Sequence, residues 1–218
     1  MGRHDWYRKT TWTAQDEADF RSRLSRSRGD YNKAQYLRIQ AYTLQETGVE
    51  TNLRAALELL DQMFAQYPGE VSEAASGYVQ MGECFDQLGV PDKAIEMYCR
   101  SLQCQRDHPN YRTSASLKLG KLVARHKYEE LYSEALTALE EGKEHLLFPV
   151  QRFDYCTVLA FIMDDLGQSD FAARAAVHAL EFSKLTESGF SYHKSMGIVT
   201  NPDEEVLQRL TRIANSGG

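Results

Sequence analysis

The stretch Tyr78-Val-Gln-Met-Gly82-Glu-Cys-Phe85-Asp-Gln-Leu88-Gly89-Val-Pro91-Asp-Lys-Ala94-Ile-Glu-Met-Tyr98-Cys-Arg-Ser101-Leu102 decides the fold. Gly89 suits a helix C-terminus, where a residue in the left-handed conformation closes the last turn. Pro91 suits the first turn of a following helix, where its missing N–H has no partner to lose. The stretch therefore predicts two helices joined by a tight turn. Outside it, apolar residues also recur at helical intervals, most plainly at Leu53, Ala56, Leu57, Leu60, Met63 and Phe64. Pro68 and Pro109 stand where they would stop helices.

The pattern returns at an offset of 78 residues. Met81 falls on Leu159, Gly82 on Ala160, Phe85 on Met163, Leu88-Gly89 on Leu166-Gly167, Ala94 on Ala172 and Leu102 on Leu180. Half that offset locates an intermediate copy, Ser116-Leu-Lys-Leu-Gly120-Lys-Leu-Val123. An earlier copy runs Leu37-Arg-Ile-Gln-Ala41-Tyr-Thr-Leu44, followed by Thr47-Gly48 and Ala56. The small residues Ala41, Gly82, Gly120 and Ala160 lie 41, 38 and 40 apart. Small residues at fixed spacing let paired helices approach closely, and a fixed period implies one unit used several times.

On these residues the chain resembles the tetratricopeptide repeat, a helix–turn–helix unit with small residues where its helices cross. The resemblance covers about residues 31–186. It is best in the second copy and good in the fourth, where Cys156 takes the first large position. The third copy has His126-Lys127 in place of Leu-Gly and Tyr132 near the expected alanine, and the first carries about three extra residues in its turn. The 38–41 spacing exceeds the 34 of the standard unit. The resemblance implies an all-α, right-handed helical-repeat solenoid of about four divergent helix pairs. Residues 1–30 would form a lead segment and N-terminal cap helix, 31–186 the array, and 187–218 a linker and C-terminal cap helix. Its structural anchors would be Ala41, Ala56, Gly82, Gly89, Ala94, Gly120, Ala160, Gly167 and Ala172.

For function, the resemblance implies a non-catalytic protein-binding scaffold that holds a peptide or partner helix in a concave groove. The rows that face this groove in the family fall here on Gln35, Arg38, Tyr42 and Gln45, on Ser76, Val79, Glu83 and Asp86, on Ser114, Leu117, Lys121 and Ala124, and on Asp154, Thr157, Phe161 and Asp164, with Arg125 alongside. The expected partner-binding residues are Arg38, Tyr42, Gln45, Val79, Glu83, Lys121, Arg125, Phe161 and Asp164. Family members that clamp a terminal carboxylate use Lys and Asn where this chain has Arg38 and Tyr42, so that clamp is absent. Two alternatives remain: a dedicated inhibitor or chaperone of one cognate protein, such as a secreted effector, and a nucleic-acid-associated module. Self-association is left open.

The ends are not repeats. Thr13-Ala-Gln-Asp16 reads as a capping box opening a short helix with Phe20 and Leu24 inward. Trp6, Tyr7 and Trp12 are expected to seal the end of the core. Residues 187–200 show no period and are long for a connector, hence functional or mobile. Asn201-Pro202 leads into a last helix, Asp203 to Ala214, with Val206, Leu207, Leu210 and Ile213 on one face, and Ser216-Gly-Gly is expected to fray.

The 218 residues carry net charge −6, which does not favour nucleic acid. Residues 1–40 are the exception at net +4, against −10 for the remainder, and include Arg21, Arg23, Arg26 and Arg28. Asp16, Glu17 and Asp19 lie one turn away and can pair these arginines along a helix. The start, Met1-Gly-Arg-His-Asp-Trp, has no apolar leader, Gly2 lacks the Ser or Thr that myristoylation needs, and no apolar run reaches the ~18–20 residues of a membrane span. A cytoplasmic location without membrane contact is expected. Cys84, Cys99, Cys104 and Cys156 match no zinc spacing and are expected to be reduced packing residues. His4, His108 and His193 fall in loops, His126 at a helix end, and His145 and His178 on helices, none within a ligand set. Asp164-Asp165 and Glu140-Glu141 are expected on solvated helix faces, since adjacent helical residues point about 100° apart. No phosphate loop, nucleophile elbow or metal motif is present, so neither enzyme activity nor a cofactor is expected.

Overall fold

The structure, a computed structural model, describes residues 5–216. The expectations for Met1, Gly2, His4 and the Gly217-Gly218 tail lie outside the described residues. Among those described, all regular structure is helical: ten α-helices, three short 3-10 turns and no strand. None of these helices is long and apolar enough to cross a membrane. The chain divides into two compact units, with the division after Ala115. The lead segment packs into the same core as the helices that follow it.

The first unit holds a 3-10 turn, Asp5–Tyr7, and five helices: α1 (Ala14–Arg26), α2 (Asp30–Gln45), α3 (Glu50–Gln66), α4 (Val71–Gln87) and α5 (Pro91–Asp107). Helix α2 packs on α3 and α4 on α5, and α4 also touches α2 and α3. Leu37, Leu44, Leu53, Leu59 and Leu60 are almost wholly withdrawn from water, each contributing about 1.5–3 kcal/mol relative to an exposed side chain. The capping box forms as read: the Thr13 hydroxyl accepts from the Asp16 N–H, and the Asp16 carboxylate accepts from the Thr13 N–H at 3.0 Å. Phe20 and Leu24 of α1 are buried.

Gly82 sits where α4 crosses α5. A Cβ there would stand 2.7 Å from Cδ1 of the buried Tyr98, so only glycine fits against that ring. The turn that follows is closed by two bonds. The Val90 N–H donates to the Phe85 carbonyl at 2.9 Å and the Gly89 N–H to that of Asp86 at 3.0 Å, with Gly89 at φ 72°. This is the glycine-terminated closure anticipated from Leu88-Gly89.

The second unit holds α6 (Ala115–His126) from its second residue on, α7 (Tyr132–Gly142), α8 (Pro149–Asp165), α9 (Ser169–Ser183) and α10 (Glu204–Ser216). Helix α8 packs on α9, and α10 packs on both. Ala160, Ala172, Ala176 and Ala179 are fully buried with Leu210 and Ile213. The turn between α8 and α9 has the same two bonds as the one 78 residues earlier: Gln168 N–H to Met163 at 2.8 Å, and Gly167 N–H to Asp164 at 3.0 Å, with Gly167 at φ 71°. After α6 the Tyr128 N–H donates to the Val123 carbonyl at 3.1 Å with Lys127 at φ 55°, so this end closes without the glycine the sequence lacks.

Residues 187–200 contain no helix, yet they are fastened at two points. The Val150 N–H donates to the Gly197 carbonyl at 2.8 Å, and the Phe190 ring lies 5.4 Å from that of Phe148. Asp203 caps α10 by accepting from the Glu205 N–H at 2.8 Å.

Candidate functional site

The site is built from the lead segment and α2. Gln40, fully buried, grips the main chain of Lys9 at both ends: its Nε2 donates to the Lys9 carbonyl at 2.7 Å, and its Oε1 accepts the Lys9 N–H at 3.0 Å. Asn52 Nδ2 donates to the Thr10 carbonyl at 3.1 Å and to the Thr47 hydroxyl at 3.0 Å. Around this grip the aromatic residues interlock. Tyr7 stacks on Tyr36 at 4.7 Å, Trp6 meets Tyr36 at 4.9 Å, and Trp6 and Trp12 each stand 5.5 Å from Phe20. The Lys9 ammonium reaches Asp16 at 2.8 Å. That hydrogen bond, with those from Thr13 and Thr11, holds the Asp16 carboxyl far below the usual carboxylate range.

Between the fastened lead segment and α2 runs an open cleft of about 570 Å³. Arg8 and Thr10 form one wall; Arg38, Ile39, Tyr42, Thr43, Glu46 and Thr47 form the other. The α2 residues Arg38, Ile39, Tyr42 and Thr43 lie on one helix face and span about 8 Å, at 1.5 Å per residue, and Glu46 and Thr47 follow the helix end. Tyr42 is 44% exposed. The Arg38 guanidinium is bonded to the buried Glu73 carboxylate, which fixes its direction.

A second hollow of about 300 Å³ lies among α3, α4 and α5. Phe64 and Tyr78 stack at 4.2 Å over Met81, Phe85 and Met97. Its rim carries Asp61, Lys93, Glu96 and Arg100, two of each sign. Lys93 and Arg100 lie over the Phe85 and Tyr78 rings at 5.3 and 5.9 Å. Burial raises the Asp61 carboxyl.

The expected partner-binding residues have different fates. Arg38 and Tyr42 meet in the first cleft. Gln45 and Val79 are buried and offer almost no surface: Val79 lies on α4, which packs against α2, α3 and α5 at once, and Gln45 ends α2, on which α4 packs. Gln45 Nε2 donates to the half-buried Glu83 at 3.1 Å. In the second unit Lys121 pairs with Asp154 at 2.9 Å, and Arg125 is exposed. The Arg209 guanidinium of α10 lies 4.0 Å from the centre of the Phe161 ring and 3.7 Å from Asp164.

The solvated-face expectation for Asp164-Asp165 needs correcting at Asp165. Its side chain is only 11% exposed. It accepts from Lys127 at 3.1 Å, the Tyr132 hydroxyl at 2.9 Å and Arg209 at 3.0 Å. Burial alone would raise its carboxyl, but these donors outweigh burial and leave it lowered. Tyr132 is pushed up to about 12, first by burial and then by Asp165.

The arginine cluster behaves as helix surface at two of its members: Arg21 pairs with Glu17 at 2.6 Å and donates to Gln62, and Arg26 donates to the Ser22 carbonyl. Asp16 turns to Lys9 instead. The four cysteines form no disulfide. Burial pushes Cys84 up to about 12 and Cys156 up to about 11, so neither is a thiolate nucleophile near neutral pH. Among the described residues no group of three His, Cys, Asp or Glu side chains is placed to hold a metal ion. Compared with family models, with curated proteins and with solved structures, the chain matches none.

Sequence reading missed Gln40 and Asn52, the two amides that fix the site. A signal was present for Gln40, which lies three residues after Leu37 and four before Leu44 and so puts an amide on the apolar stripe of α2.

Proposed function

We propose that the protein is a non-catalytic binding module that holds a segment of a partner protein along the exposed face of α2, on a divergent scaffold of tetratricopeptide-like helix pairs. The observation that carries this reading is the open cleft at Arg8, Arg38 and Tyr42. One wall is main chain already fastened by buried amides, and the other is a rigid helix face. Tyr and Arg dominate protein-binding hot spots, since a rigid amphipathic ring and a planar cation give contact at little entropic cost.

The test is affinity capture from the native lysate with the wild-type chain beside a Tyr42→Ala/Arg8→Glu variant of equal melting temperature. A protein retained by the wild type and lost from the variant is expected. The same proteins on both baits would remove the cleft from consideration.

A further inference from the structure

We propose that the seat beneath residues 6–12 is itself a peptide-recognition site, filled in this chain by its own lead segment. Its ligand class is a short segment with two adjoining aromatic residues in a 3-10 turn followed by basic ones, as in Trp6-Tyr7-Arg8-Lys9. This goes beyond the α2 cleft, which lies beside the lead segment rather than under it, and it stands whether or not the cleft takes a partner.

The contacts are those by which a folded domain holds a foreign strand. A fully buried amide, Gln40, satisfies both the N–H and the C=O of one residue, Lys9. That recognises main chain, independent of side-chain identity. Asn52 adds a third main-chain bond one residue on. Specificity comes from side chains: Trp6 and Tyr7 against Tyr36, and Trp12 against Phe20. The Asp16 and Asp19 carboxylates, 2.8 and 3.7 Å from the Lys9 ammonium, favour a basic residue at that step. Both ends of the Gln40 amide are committed to this strand. Displacing the segment would open the Gln40 amide to water, and a peptide that offers the same main-chain N–H and C=O would re-form both bonds in place of water.

A segment tethered next to its seat acts at an effective concentration in the millimolar range. It therefore masks the seat from weak ligands and yields it to tight ones.

The probe is a labelled synthetic peptide of residues 6–13, added to two forms of the full chain. The Trp6→Ala/Lys9→Pro variant loosens the chain's own segment, since proline removes the Lys9 N–H and alanine removes the Trp6 packing. It should bind the peptide at least about tenfold more tightly than the wild type. A peptide N-methylated at the position of Lys9 cannot donate to Gln40 and should lose that binding. Equal, absent or methylation-insensitive binding by a folded variant overturns the proposal. Hydrogen exchange on the unmodified chain guards against a variant that fails to fold. The Lys9 amide should exchange at least about 100-fold faster than that of Leu60, by local opening of the segment. Equal rates would mean that the segment leaves only on global unfolding, which also overturns it.

Discussion

At the scale of single residues, two glycines do different work, and two substitutions separate them. Gly82 is needed for space: the Tyr98 ring fills the place of its side chain. Gly82→Leu should lower stability by about 1–3 kcal/mol through overpacking. Gly89 is needed for conformation, with φ 72° and nothing within 4 Å of the position a Cβ would take. Gly89→Ala should cost about 1–2 kcal/mol through the backbone alone. Urea denaturation of both variants checks the pair, and an unchanged midpoint in either contradicts its assigned cause. Both roles were legible, because a glycine set in helical periodicity marks either a close approach of helices or a left-handed closing turn. Gln40 was only half legible. An amide on an apolar stripe announces a buried partner, but that partner is the main chain of Lys9, 31 residues away, and main-chain groups leave no trace in sequence.

At the scale of helices, local chemistry was readable and long-range pairing was not. The capping box of α1, the turn after α4, the turn after α8 and the proline start of α5 all follow from neighbours in sequence. The Asp165 cluster does not. It joins the last residue of α8 to Lys127 after α6, Tyr132 at the start of α7 and Arg209 of α10, and no periodicity links those positions. For the same reason the reach of Arg209 to Phe161 and Asp164 leaves no signal in the sequence. Asp165→Asn should cost about 3 kcal/mol at pH 7, since it leaves the buried Tyr132 hydroxyl and the mostly covered Arg209 guanidinium facing a neutral group. The pH dependence has a definite sign. The folded carboxyl titrates below its unfolded value of about 4, so its contribution is complete above that pH and is lost as pH falls through the folded value. The gap between wild type and variant, measured by urea denaturation, should therefore be full at pH 7 and narrow below pH about 4. A gap that is constant down to pH 2 contradicts the assignment.

At the scale of the whole molecule, the all-helical class and the places of most turns were legible, because 3.6-residue periodicity and turn residues carry them. The division after Ala115 was not, because it depends on which helices share a core. The proposed function rests on one face of the first unit, where the fastened lead segment and α2 leave Tyr42 exposed in an open cleft. The most direct measurement places a photo-activated benzoyl-phenylalanine at Tyr42 and, as control, at Arg54, whose side chain is 65% exposed on α3, outside the cleft. After irradiation in the native cell, the account predicts a discrete protein adduct from position 42 and none from position 54. Adducts of the same pattern from both positions, or none from position 42, would contradict it.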